Sequence, residues 1–139
     1  MNDPEGSLTP MQHEIMDIVW DAGHQGIATT EVWQQIGKKR KVARTTILNQ
    51  VDRLEKRGWL IRHKAAGSFR YRASIDREGT EKLLADQFVN HFFSGSPGRL
   101  VARLLGGKQI SQDDIREIRQ LLDVLPEEHD TSDEGGSQT

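Results

Sequence analysis

The sequence predicts a mainly α-helical chain that contains one small β-hairpin. Apolar residues recur at the three- and four-residue spacing of amphipathic helices in several segments, whereas apolar and cationic residues alternate strictly near residues 69–73. The charge is also uneven, because residues 38–72 hold twelve Lys and Arg against Asp52 and Glu55 while the whole chain has a net charge of −2. This concentration of positive charge predicts a surface that attracts phosphate groups.

Length and composition fit a compact protein, which we expect to be cytoplasmic. The 139 residues, 35% of them hydrophobic, can form one domain or two small ones. Because the sequence has no cysteine, disulfides, thiolate metal clusters and Cys nucleophiles are excluded. The N-terminus is acidic and polar, and no apolar run reaches the roughly 18 residues of a membrane span. We therefore expect neither a secretory signal nor membrane insertion.

The first helix is predicted to begin at Pro10. Thr9 can cap it, and Gln12 can reach back to the backbone of Thr9, which together form a capping box. Gly23 is the expected end of the helix. The predicted buried face consists of Met11, Ile15, Ile18 and Val19.

A second helix is predicted to open at Thr29 or Thr30 and to stop at Gly37. Its apolar side would be formed by Val32, Trp33 and Ile36. The cations that follow, residues 38–41, are then expected to form a short exposed linker to the third helix.

The third helix is predicted over about residues 43–57, and Gly58 is placed to take the left-handed conformation after it. Ile47, Val51 and Leu54 share one apolar face. The opposite face is predicted to carry short polar side chains first and cations after them, an order that suits base edges and phosphates. These residues are Thr45, Asn49, Arg53 and Lys56, with Thr46 and Asp52 on the flanks.

After Gly58 the pattern predicts a β-hairpin with its turn at residues 65–68. On the second strand Phe69 and Tyr71 share one face, and Arg70 and Arg72 share the other. We expect the two aromatic side chains to pack in the core and the two cations to face solvent.

From Arg77 the charge is balanced and the helical spacing continues through three short amphipathic segments. About 50 residues cannot easily bury that much apolar surface alone, so a partner subunit is the expected solution. The predicted divisions are a DNA-binding domain at 1–76, a three-helix dimerisation domain at 77–125 and a disordered acidic tail at 126–139. The expected dimerisation residues are Leu84, Phe88, Phe92, Leu100, Leu104, Ile115, Ile118 and Leu122.

Three helices followed by a hairpin, with the basic charge on the third helix and the hairpin, predict a winged helix-turn-helix. The third helix would enter the major groove, where Thr45 and Thr46 can contact thymine or an acceptor and Asn49 can pair with adenine. The predicted backbone contacts are Lys38, Lys39, Arg40, Lys41, Arg53, Arg62, Lys64, Arg70 and Arg72.

Other functions are less favoured by the sequence. The histidines are scattered, and no nucleophile motif or phosphate loop is present, so we expect no enzyme activity, no cofactor and no metal site. Two alternatives stay open: a winged helix that docks another protein, and a dimeric regulator with a small-molecule pocket in its C-terminal region. The cationic face favours DNA over protein docking, because protein interfaces need an apolar or mixed patch.

Three segments resemble the penicillinase repressors, a family that includes the β-lactamase and methicillin-resistance repressors and copper-responsive relatives. They are LTPMQHEIMDIVW at 8–20, TTILNQVDRLEKRGWLIRHK at 45–64 and ISQDDIREIRQLLD at 110–123. The resemblance implies a cytoplasmic homodimer that represses promoters by occupying palindromic operators, with a membrane sensor-protease as signalling partner. By position, it places base readout on Arg44, Thr45, Thr46, Asn49 and Gln50.

The sequence departs from the family at two points. The β-lactam-responsive members are cleaved between an Asn and a Phe in the dimerisation region, and the corresponding bond here joins Arg103 to Leu104. The copper-responsive members bind metal through a cysteine-rich C-terminal motif, whereas this sequence has no cysteine. We therefore expect no copper sensing by that chemistry.

Overall fold

The computed structural model of the chain describes residues 3–126. The chain folds as two compact units, and the division between them falls between His91 and Phe92. Most of the predicted acidic tail, residues 127–139, lies outside the described residues. The chain is mainly helical with one two-stranded antiparallel sheet, which confirms the predicted fold class.

Helix α1, Pro10–Ala22, begins and ends as the sequence predicts. The Thr9 hydroxyl accepts from the Gln12 amide N–H at 3.1 Å, and the Gln12 side chain accepts from the Thr9 N–H at 3.0 Å. Together they satisfy two N–H groups that the first turn leaves without partners. Ile15 and Val19 are buried as expected, and Met16 joins them although the predicted face did not include it.

The second helix continues past Gly37, so the predicted stop is wrong. Helix α2, Thr29–Val32, widens into a π-helical turn, Trp33–Gly37, and continues as α3, Lys38–Arg40. It ends at Lys41, which takes the left-handed conformation with φ 56°. Gly37 is needed for packing instead, because a Cβ there would lie 2.1 Å from Cδ1 of the Trp33 indole. The predicted linker of cations is therefore largely a helical turn.

Helix α4, Arg44–Lys56, is the third helix of the motif, and Gly58 follows it with φ 87° as predicted. The Gly58 N–H donates to the Glu55 carbonyl at 3.0 Å, and the Trp59 N–H donates to the Leu54 carbonyl at 2.9 Å. This pair of bonds is a Schellman motif, which only a residue comfortable at positive φ can complete. Leu54 and Trp59 are both fully buried, so the motif also fixes the entry into the hairpin.

The hairpin consists of β1, Leu60–Ala65, and β2, Ser68–Ala73, in an antiparallel register that pairs Leu60 with Ala73. Its two-residue turn is Ala66–Gly67, and both residues have positive φ, as the tight turns of twisted hairpins require. Ile27 forms a bridge with Tyr71, which ties the segment before α2 to the edge of the hairpin.

One hydrophobic core joins α1, α2, α4 and the hairpin into a winged helix-turn-helix. Trp59 is its largest fully buried side chain. The core consists of Ile15, Met16, Val19, Ile27, Val32, Ile36, Ile47, Val51, Leu54, Trp59, Leu60 and Tyr71.

Helix α5, Arg77–Phe92, lies against this core through its first turns. Thr80 is fully buried, and Leu83 and Leu84 pack against the core residues. The predicted domain boundary at residue 76 therefore precedes a helix that belongs, up to His91, to the first unit. Leu84, predicted for dimerisation, contacts the core of its own chain.

The second unit contains α6, Pro97–Leu105, and α7, Gln112–Asp123. Ser96 caps α6, and Ser111 with Asp114 forms a capping box at the start of α7. The hydrogen bonds to Ser111 lower the pKa of the Asp114 carboxyl below its ordinary value. Neither helix buries any of its residues fully.

Candidate nucleic-acid interface

The first turns of α4 present a polar surface to solvent. Arg44, Thr45 and Asn49 are exposed, and Thr46 is half-buried on the flank. Ala43, which precedes the helix, offers no side-chain cap, so the first N–H groups of α4 keep their capacity to bind an anion. Four of the five residues predicted for base readout thus lie on or beside one accessible face.

Gln50, the fifth, is half-buried and has a partner within the fold. Its Oε1 accepts a hydrogen bond from Nε2 of Gln12 at 2.9 Å. Gln12 is itself 6% exposed and lies at the start of α1. This contact between residues 38 positions apart has no signal in the local sequence pattern.

Trp33 fixes the turn that leads into α4. Its indole N–H donates to the Val42 carbonyl at 3.0 Å, and the Arg44 guanidinium stacks on the ring at 4.6 Å from the centroid. Lys38 lies 5.6 Å from the same centroid. The sequence pattern assigned Trp33 only to an apolar helix face, whereas in the structure it positions two predicted DNA-contacting cations.

Three of the predicted backbone contacts already have acidic partners, and one of them is Arg62, whose Nε lies 3.8 Å from the Glu55 carboxylate. Arg40 binds Glu14 through two hydrogen bonds of 2.9 and 2.6 Å, which lowers the pKa of the Glu14 carboxyl and raises the pKa of Arg40. Arg70 donates to the Gly26 carbonyl at 3.0 Å and lies 3.4 Å from Glu31. Arg70 therefore ties the hairpin to the start of α2 and does not simply face solvent.

The hairpin tip carries an aromatic side chain beside two cations of the neighbouring strand. The Arg62 guanidinium lies 4.4 Å from the centroid of the Phe69 ring, and the Lys64 ammonium lies 5.8 Å from it. Phe69 is 49% exposed, so the prediction that it packs in the core is wrong. The register explains the difference, because Phe69 pairs with Lys64 beside the turn, beyond the reach of the core that buries Tyr71.

Four of the remaining predicted contacts have neither an acidic partner nor an aromatic ring beside them within residues 3–126. Within residues 3–126, no side-chain ion pair involves Lys39, Lys41, Arg53 or Arg72. Lys39 and Lys41 lie just before α4, Arg53 lies on its exposed face, and Arg72 lies on the second strand. Two of these charges thus precede the polar face of α4 along the chain, and a third lies on the same helix.

The predicted dimerisation residues of α6 and α7 lie on partly open apolar faces. Leu104 is 50% exposed and Leu122 is 60% exposed, while Leu100, Ile115 and Ile118 are partly buried within the second unit. Phe88 and Phe92, at the end of α5, are also exposed to solvent.

The candidate cleavage bond, between Arg103 and Leu104, lies inside α6, where both residues are exposed.

Two further observations concern residues 3–126 as a whole. No helix in that range combines the length and the apolar content needed to cross a membrane. The same range contains no group of three His, Cys, Asp or Glu side chains arranged to hold a metal ion.

The fold and the exposed polar helix define a protein of the winged helix-turn-helix class. The family profile of the penicillinase repressors matches residues 8–124. A penicillinase repressor from Bacillus licheniformis is 32% identical over 116 residues, which cover 84% of this chain and 89% of that protein. The methicillin resistance regulatory protein MecI from Mammaliicoccus sciuri is 24% identical over 122 residues, 88% of this chain and 98% of that protein.

Among solved structures, a MarR family protein from Bacillus stearothermophilus aligns with a TM-score of 0.43 and 21% identity, covering 83% of this chain and 70% of that one. The family match and the identity to the Bacillus licheniformis repressor confirm the resemblance seen in the sequence. The chain belongs to the penicillinase repressor family and is a DNA-binding transcriptional repressor.

Proposed function

We propose that the chain is a cytoplasmic homodimer that represses transcription by occupying palindromic operators. The observation that supports this most directly is the exposed polar face of α4, with unpaired cations before and beside it. Polar side chains on a recognition helix read base edges, and flanking cations hold the phosphates. In a symmetric dimer the two recognition helices would meet adjacent major grooves about one helical turn, roughly 34 Å, apart.

Base readout is assigned to the first two turns of α4. Thr45 can contact a thymine methyl group or an acceptor, and Asn49 can make two hydrogen bonds to adenine. Arg44 is held on the Trp33 ring at 4.6 Å, so its guanidinium has a restricted set of orientations before DNA arrives. A side chain ordered in advance loses less conformational entropy on binding.

Phosphate binding is assigned to the unpaired cations and to the hairpin tip. Each cation that neutralises a phosphate releases counterions, which makes the affinity depend on salt. Lys39, Lys41, Arg53 and Arg72 are the first candidates, since each has neither an ionic partner nor an aromatic contact within residues 3–126. Arg62 and Lys64 add charge beside Phe69, although Arg62 also lies 3.8 Å from Glu55.

Dimerisation is supported by the apolar surface of the second unit. Leu104, Leu105, Leu121 and Leu122 are each about half exposed in the single chain. Fully burying a leucine contributes about 1.5–3 kcal/mol, so covering these half-exposed side chains would contribute roughly 3–6 kcal/mol for each protomer. Part of this gain is lost to the entropy of association, but two protomers contribute.

The proposal is tested by selecting duplexes from a random-sequence pool with the purified protein at near-physiological salt, together with sedimentation velocity. We expect a palindrome to be enriched and the protein to sediment as a dimer at micromolar concentration. Enrichment of no sequence would leave a nonspecific DNA-binding protein or a winged helix that docks another protein. A monomer at micromolar concentration would contradict the dimer.

Two substitutions separate base readout from phosphate binding. Asn49→Ala should relax the preference at one base pair of each half-site, with a loss of about 1–3 kcal/mol for the preferred base. Arg53→Ala is the matched control on the same helix, and it should weaken all duplexes alike and lower the salt slope by about 1. An unchanged preference in Asn49→Ala would contradict the assignment.

A membrane sensor-protease is proposed as the signalling partner through family membership alone. In β-lactam-responsive relatives the cleaved bond joins Asn to Phe, whereas here the corresponding residues are Arg103 and Leu104. A protease that acts on this chain would therefore need a different specificity. Incubating the purified protein with membranes from induced cells and locating the cut by mass spectrometry tests the assignment.

A further inference from the structure

A chain of side-chain amides joins the start of α1 to the recognition helix α4. Oε1 of Gln12 accepts from the Thr9 backbone N–H at 3.0 Å and from the Arg57 guanidinium at 3.4 Å. A backbone N–H and a guanidinium can only donate. The atom of Gln12 that faces them must therefore be its oxygen, and its NH₂ group must point the other way.

The orientation of Gln12 determines the orientation of Gln50. The Gln12 NH₂ group lies 2.9 Å from the Gln50 side chain and has no acceptor capacity. Gln50 must therefore turn its oxygen towards Gln12, which leaves its NH₂ group as the outward-facing end. Arg57 stabilises the first link, since its guanidinium is also held by the backbone carbonyls of Glu5 and Ser7.

We propose that Gln12 is a positioning residue that makes Gln50 a pure hydrogen-bond donor towards DNA. The inference rests on the proposed function, in which α4 lies in the major groove. It adds that Gln50 contacts only hydrogen-bond acceptors of the DNA. Gln50 follows Asn49 on α4 and lies one turn after Thr46, at the flank of the exposed face. A glutamine free to rotate can pair with adenine through both its oxygen and its nitrogen.

Because the Gln50 oxygen faces Gln12 and its NH₂ group faces outward, Gln50 presents no acceptor to the adenine or cytosine amino groups. It can donate to N7 or O6 of guanine, to O4 of thymine, to N7 of adenine or to a phosphate oxygen. Gln50 thus selects acceptors, while Asn49 keeps both a donor and an acceptor. The two neighbouring amides would read DNA by different rules.

The substitution Gln12→Glu tests this orientation directly. A glutamate at this position still accepts from Thr9 and Arg57, as in an ordinary capping box, so α1 keeps its cap. It offers no donor to Gln50, whose amide must turn so that its NH₂ group faces residue 12 and its oxygen faces DNA. The Arg57 guanidinium compensates the added negative charge.

The readout is the dissociation constant for the selected operator and for variants with each base pair at each position. If Gln50 contacts a base, Gln12→Glu should change the preferred base at one position, from one that presents a hydrogen-bond acceptor to one that presents an amino group. The relative affinity for the two bases should change by roughly tenfold. If Gln50 contacts phosphate, all duplexes should bind roughly tenfold more weakly with unchanged preference. Either result supports the proposal and identifies the acceptor.

The control is the same substitution in a Gln50→Leu chain. With no amide left to turn, Gln12→Glu should change the affinity by less than about twofold there, as a double-mutant cycle requires. An equal loss in both backgrounds would overturn the positioning role. Unchanged affinity and preference in Gln12→Glu alone would overturn it as well.

A measurement on the free protein separates this inference from the proposed function. In NMR spectra of the full chain without DNA, the side-chain NH₂ protons of Gln12 should exchange with water more slowly than those of Gln50. Equal exchange rates would overturn the amide chain even if an operator is found. Failure to enrich any operator would instead contradict the proposed function and leave this exchange result standing.

Discussion

Replacing Gly37 with alanine should destabilise the winged helix, although helix propensity alone predicts the opposite. Gly37 has helical backbone angles, φ −62° and ψ −36°, where alanine is favoured over glycine by about 1 kcal/mol. A Cβ at this position, however, would lie 2.1 Å from Cδ1 and 2.5 Å from Nε1 of the Trp33 indole. Ordinary carbon contacts are about 3.5–4.0 Å, so the ring would have to move by more than about 1 Å.

The expected loss combines several terms. Overpacking a filled site costs about 1–3 kcal/mol, and the indole hydrogen bond to Val42 contributes about 1 kcal/mol. After subtracting the gain in helix propensity, the net loss is about 2 kcal/mol. For a domain of about 60–100 residues, such as this winged helix, a loss of that size lowers Tm by roughly 8–16 °C.

Thermal unfolding followed by circular dichroism measures this loss, and the matched control is Gly37→Ala in a Trp33→Leu chain. Without the indole the added methyl group has room, so alanine should there be neutral or stabilising by up to about 1 kcal/mol. A Gly37→Ala chain with Trp33 intact that melts at or above the wild-type temperature would refute the packing argument. It would leave Gly37 with no packing role and only the ordinary cost of a glycine inside a helix.

Three further outcomes are expected. Because Arg40 lowers the pKa of Glu14, the stability from this pair is present above the ordinary glutamate value of 4.5 and is lost as pH falls through the lowered value. Tm measured from pH 7 to 3 should therefore fall less steeply in Glu14→Gln, and identical profiles would contradict the linkage. Leu122→Lys should shift the proposed dimer towards monomer in sedimentation, whereas Gln120→Lys, which adds the same charge to α7, should not. Equal behaviour of the two variants would count against this face as the interface. Arg57→Met should lower the free energy of unfolding by about 2 kcal/mol in urea titrations, and a loss below about 0.5 kcal/mol would contradict its role in holding the N-terminal segment.

The sequence could predict those elements whose signals lie within a few residues. The capping box of Thr9 and Gln12, the stop at Gly58 and the tight turn at Ala66–Gly67 each depend on hydrogen bonds or backbone angles that are settled locally. The alternation in the second strand likewise predicted that Tyr71 is buried. Helical spacing and local charge were enough to predict a winged helix with a basic recognition helix.

Tertiary structure decided the features that depend on residues far apart in the chain. Gly37 lies within a helix that continues to Arg40 and packs against the Trp33 indole, and the register of the hairpin placed Phe69 outside the core. Arg40 pairs with Glu14, so it is not among the cations that remain without an acidic partner. No local pattern encodes such contacts, because the same side chain is free or engaged according to which distant group the folded core brings within about 3 Å of it.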